Sequence, residues 1–164
     1  MGDTMEEMKM CTRDIIKIVI YIMIGISLLI SAITDIKYRK IYISVVLSAS
    51  ITAVVLNIFA GNMDIYEILG IAATGLIFFG ISFVSGGQLG AGDACIYIMT
   101  GIGLGIVGNI YLIFISFIAA GLYASYLVLF KRKRRDYKIP LVPYIMIGYI
   151  VYFVDKAGGL SGVL

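Results

Sequence analysis

Two aspartates are the residues best placed to do chemistry. Asp35 closes the first apolar run, in Thr34-Asp35-Ile36-Lys37-Tyr38-Arg39-Lys40, and Asp93 opens a later one, in Gly90-Ala91-Gly92-Asp93. Ionisable groups are costly in hydrocarbon, so an acid at a membrane span marks a candidate site. Two acids that meet can divide the work of activating water. One holds a proton and donates it while the other accepts a proton from the water, with no metal and no covalent intermediate. The chain has no His, which removes the usual general base, the commonest zinc ligand and any Ser-His or Cys-His arrangement. Cys11 and Cys95 have no metal or redox spacing, so neither metal nor cofactor is expected.

The elements that position these acids follow from composition. The chain of 164 residues is 61% hydrophobic and 14% charged, with a mean hydropathy of +1.04. A soluble domain of that size cannot hide so much apolar surface, and the expected class is an all-α integral membrane protein of one domain. Residues 15–33, 41–60 and 65–84 are each long enough to cross ~30 Å of hydrocarbon. The uncharged stretch 94–130 would rise about 55 Å as a single helix, so it should fold back, with Gly105-Ile106-Val107-Gly108-Asn109 as the turn. Spans at 94–108, 110–130 and 139–154 complete an expectation of six transmembrane helices.

Basic residues set the orientation. Of the 13 Lys and Arg, most fall in two segments: Lys37, Arg39 and Lys40 after the first span, and 131–135 with Lys138 after the fifth. Both segments lie on one face, which the positive-inside rule makes cytoplasmic. Both termini then lie outside, and the loop 85–93 is cytoplasmic, which puts Asp35 and Asp93 on the same side. The acid-rich segment before the first span, and Asp35 where a small-residue cleavage site would stand, argue for a retained span over a cleaved signal.

Each motif has a plain alternative. Asp93 can be read as an N-cap at the positive end of a helix, and Asp35 as an interfacial acid neutralised by Lys37 and Arg39. The glycines Gly86, Gly87, Gly90 and Gly92 allow close backbone approach by an extended substrate, or form a flexible turn. Gly103-Leu104-Gly105-Ile106-Val107-Gly108 matches a dinucleotide fingerprint literally, but no strand precedes it, and helix packing or a turn is expected there instead. The run Lys131-Arg132-Lys133-Arg134-Arg135 directly follows a span and reads as a topology anchor on anionic lipid, not as a nucleic-acid patch. Pro140 and Pro143 suit the first turn of the last helix.

Taken together, these residues resemble the prepilin peptidase family, the GxGD-type membrane aspartic proteases. Gly90-Ala91-Gly92-Asp93 is similar to the family's G-x-G-D motif, residues 35–41 to its first-aspartate motif, and residues 139–144 to the start of its last span. The resemblance implies a catalytic pair, Asp35 and Asp93, with Lys37, Arg39, Gly90 and Gly92 shaping the site. It implies cleavage of the basic leader from type IV pilin-like precursors at the cytoplasmic membrane surface, with the precursor's apolar helix left in the bilayer beside the enzyme. Tyr42 and Ile43 depart from the family's Pro-Asn, and Cys95 from its common Lys. The cysteine-rich segment of the bifunctional members has no counterpart here, so no methyltransferase activity is implied. In length and layout the chain is similar to short members serving tight-adherence pili and to archaeal preflagellin peptidases. The rival readings are a small transporter or proton-conducting protein, which would place acids near the bilayer midplane, and a non-cleaving scaffold of pilus assembly.

Overall fold

The computed structural model describes residues 2–61, 64–84, 90–131 and 140–158. Glycines 86 and 87, the basic residues 132–138 and Ile139 lie outside the described residues. Five helices follow in order: α1 (Gly2–Tyr38), α2 (Ile43–Ala60), α3 (Ile65–Val84), α4 (Ala91–Lys131) and α5 (Val142–Gly158). Among the described residues the protein is all-helical. Four helices, α1 to α4, are long and apolar enough to cross a membrane.

Against the expected six spans, four helices qualify by length and composition, and the other expected spans take a different form. First, α5 has 17 residues and carries Asp155 and Lys156, so it falls short of the other four in length and apolar character. Second, residues 94–108 and 110–130 are two helical arms that meet at a single residue instead of a loop. They belong to one 41-residue helix, α4, interrupted at a single residue, Gly105, with φ 73° and ψ 174°.

That one residue reverses the chain. The Thr100 hydroxyl donates to Asn109 Oδ1 at 2.8 Å, and Asn109 Nδ2 donates to the Tyr97 carbonyl at 3.0 Å. In a straight helix residues 97 and 109 would stand about 18 Å apart. The rings of Tyr97 and Phe117 lie 6.4 Å apart, so the two arms of α4 (91–104 and 106–131) run back along each other. The glycine-rich stretch therefore makes a turn, as one of its two sequence readings held. α1 also differs from its expected span: the helix continues outward through residues 2–14, where Met, Glu and Lys are good helix formers.

α4 is the hub, packing against each of the other four helices, whereas α3 packs against α4 alone. Lipid is as apolar as the protein core, so burial of Leu and Ile does little to hold helices together, and close approach and polar contacts carry more of the load. Gly103 lies against Ile24, and Gly75 leaves room for Ile98. Buried Asn57 uses Nδ2 to join α2 to α4 through the Ile102 carbonyl at 3.1 Å. Contacts of this kind contribute about 0.6 kcal/mol each.

The backbone at Gly105 occupies a region that is essentially glycine-only, and an added Cβ would meet Glu67 Oε1 at 3.3 Å. Gly105→Ala is expected to cost about 1–3 kcal/mol. Gly80→Ala, where an added Cβ meets nothing within 4 Å, should leave stability unchanged or raised. Thermal unfolding of both variants in detergent checks this, and equal losses would contradict the assignment of the turn to Gly105.

Candidate active site

The buried stripe of α1 runs Ile20, Ile24, Ser27, Leu28, Ser31, Ala32 and Asp35, the three- and four-residue spacing of one helix face. Asp35 is thus the last member of a core-facing row, 9% exposed, three residues before the helix ends at Tyr38. Asp93 begins the corresponding row of α4, followed by Tyr97, Thr100 and Leu104, and is 8% exposed. Lys37 and Arg39 are exposed. The acids therefore face inward and their flanking cations face outward.

Each carboxylate is held by a helix N-terminus, in two different ways. Asp93 is the third residue of its helix turn, not the N-cap that the plain reading suggests. Its Oδ2 reaches back to accept from the Gly90 amide at 3.1 Å, while its own amide donates to the Gly90 carbonyl at 3.0 Å. This reciprocal pair is half of a capping box with Gly90 as the cap. Gly92 lets Ile41 sit close, since a Cβ there would meet Ile41 Cβ at 3.1 Å. The glycines of the motif therefore have separate duties: Gly90 caps, and Gly92 admits the chain leaving α1.

Asp35 has a long-range partner. Its Oδ2 accepts from the Val142 amide at 3.1 Å, across 107 positions of sequence. Val142 opens α5, where amides have no acceptor inside the helix, and Pro143 contributes no amide at all. The α5 turn is closed by Tyr144 and Ile145 donating to the Leu141 carbonyl at 3.0 and 3.2 Å. The prolines were read only as tolerated at a helix start. Their position instead leaves Val142 as the donor for Asp35, and only the tertiary fold shows it.

Asp35 and Asp93 come within electrostatic reach of each other, and Arg39 within reach of Asp35. Arg39 follows α1 in the left-handed region (φ 51°), its amide donating to the Asp35 carbonyl at 3.0 Å. A non-glycine residue there costs roughly 1–2 kcal/mol, a strain located beside the acid. Among the described residues no three His, Cys, Asp or Glu side chains converge into a cluster. A further group escaped the sequence reading. Tyr97, one turn beyond Asp93, is fully buried against Phe78, with its hydroxyl directed at Ser116 of the returning arm of α4. The four-residue spacing from Asp93 was the only signal that could have found it.

The fold and site define a helical, membrane-embedded protein whose inward-facing acids end one helix and begin another. The type IV leader peptidase family model matches residues 22–125, well over half of the chain and a segment holding both aspartates. The chain belongs to that family, and so to a family of peptidases. No curated protein and no solved structure matches the chain.

Asp35→Leu strands the Val142 amide and is expected to cost about 1–3 kcal/mol. Asp35→Asn keeps an acceptor oxygen and should stay close to the native stability in the same thermal unfolding assay.

Proposed function

We propose that this protein is a membrane aspartic endopeptidase that removes the leader from type IV pilin-like precursors, with Asp35 and Asp93 as its catalytic pair. The observation that carries the reading is that two buried carboxylates, from helix ends far apart in sequence, come within electrostatic reach of each other inside the segment that matches the leader peptidase family.

The mechanism follows from the pair. Two carboxylates at close range do not both ionise readily, so the pair holds one proton between them. The ionised member takes a proton from a water placed between the acids, and the oxygen attacks the scissile carbonyl. The protonated member donates to the carbonyl oxygen, and collapse of the tetrahedral adduct breaks the C–N bond as the leaving amine gains a proton. The Gly90 and Val142 amides hold the carboxylates in place through this exchange and do not themselves react. Gly90 and Gly92 keep the rim low enough for an extended peptide, and exposed Lys37 and Arg39 border it.

The bilayer arrangement belongs to the same proposal. The two arms of α4 each cross, α5 crosses as the shortest span, and the basic residues hold the acid end at the cytoplasmic surface, with both termini outside. The precursor's apolar helix stays in the membrane beside the enzyme while its leader is cut at that surface. The single domain acts without cofactor and without methyltransfer. The transporter reading is less favoured, because both acids lie within one turn of a helix end instead of mid-span.

Co-expression with a tagged pilin-like precursor tests this. Asp35→Asn and Asp93→Asn should each lower processing by at least about 10²-fold while the protein still inserts. Unchanged processing by either variant would sink the paired-acid mechanism.

A further inference from the structure

A polar cavity lies at the opposite end of the molecule from the acids. Its volume is about 210 Å³, and its polar lining comprises Lys17 and Tyr21 of α1, Asn57, Glu67 of α3, and Tyr152 and Lys156 of α5. Gly105 also forms part of the wall. The cavity is smaller than the ~300–1,000 Å³ of sites for drug-sized ligands, so it suits a compact headgroup.

Its depth is set by helix geometry. From Lys17 to Asp35, α1 rises about 27 Å, close to the ~30 Å thickness of a hydrocarbon core. With the acids at one membrane surface, the cavity therefore opens at the other, at the level of lipid headgroups. Non-helical backbone at such depth is tolerated where it is buried or lines a polar cavity, which is where Gly105 stands.

The charges are of both signs and come from three helices. Lys156 Nζ is held 5.9 Å from the Tyr21 ring centre and 5.7 Å from that of Tyr152, within cation–π range. Tyr21 is anchored in turn by the Tyr149 hydroxyl, which donates to its carbonyl at 2.7 Å. The second arm of α4 starts at the cavity wall and adds the positive end of a helix dipole. Against these stands one carboxylate, Glu67, beside Gly105.

We propose that this cavity binds the zwitterionic headgroup of a membrane phospholipid. The phosphate sits on Lys17 and Lys156, and the ammonium of an ethanolamine-type headgroup sits on Glu67. An anionic headgroup would use the lysines and leave Glu67 without a role, and a diacylglycerol would use neither.

Native mass spectrometry of the delipidated full chain in detergent tests the assignment. The probes are phosphatidylethanolamine, phosphatidylglycerol, diacylglycerol and soluble O-phosphoethanolamine. The ethanolamine lipid should bind best, and Lys17→Gln with Lys156→Gln should weaken it by about tenfold or more. Lys17→Arg with Lys156→Arg keeps both charges and should bind like the native chain, which separates loss of the site from loss of the fold. Glu67→Gln should erase the preference for ethanolamine over glycerol headgroups. Equal binding of diacylglycerol, or unchanged binding by the glutamine pair, would overturn the site. Displacement of the lipid by soluble phosphoethanolamine at equal concentration would overturn a lipid as its occupant.

Discussion

A carboxylate removed from water must find hydrogen-bond donors, and helix N-termini supply one to each acid here. The arrangement of the acid end follows from that requirement. Asp93 uses the start of its own helix, so its position is fixed locally as soon as Gly90 caps α4. Asp35 sits at the C-terminal end of α1, where the dipole is unfavourable to an acid and the nearby orphan groups are carbonyls. It must borrow donors from elsewhere, and the start of α5 provides the Val142 amide. One acid therefore depends on local geometry and the other on tertiary docking. The second contact binds the last helix to the first.

The docking of α5 in turn depends on α4. Gly105 sends α4 back on itself, and the hydrogen bonds of Asn109 to Thr100 and to the Tyr97 carbonyl fix the two arms against each other. The bend also places Ser116, on the returning arm, close against Gly148 of α5, where a Cβ would stand 2.7 Å from its hydroxyl oxygen. α5 is thereby held against α4 along its middle and against Asp35 at its start. The same bend creates the polar cavity at the far end, because the chain cannot reverse at one residue without leaving the helix there. The docking of α5 and the far cavity are products of one turn.

How much of this was legible in the sequence follows from where information is lost in an apolar chain. The acids, their flanking cations and the fold-back of residues 94–130 could be read, because charges and glycines stand out against a hydrophobic background. The inward direction of Asp35 and Asp93 could not. A soluble helix shows its core face as an apolar stripe, but here the lipid-facing side is as apolar as the core: Ile22, Ile26 and Ile33 are exposed while Ile20 and Ile24 are buried. With the stripe erased, periodicity cannot say which way a residue points. The Val142 amide was hidden for a different reason. A backbone donor has no sequence signature, and the prolines beside it had a sufficient local explanation. Hydropathy could not show that one glycine suffices for the reversal, or that α5 is short and ends in charge.

The departures from the family pattern can now be weighed by position. Tyr42 caps α2 without a side-chain hydrogen bond and is 55% exposed, and Ile43 behind it is 49% exposed. Neither is among the groups bonded to the acids. Cys95 is half-buried between Asp93 and Tyr97 on the same helix, but the buried row passes to either side of it. All three substitutions alter the surface around the site and leave the donors to the carboxylates untouched. Those donors include the Gly90 and Val142 backbone amides, which no side-chain replacement at 42, 43 or 95 can delete. The acid pair is thus insulated from variation in its own flanks, and the flanks are free to vary with whatever chain is presented to them.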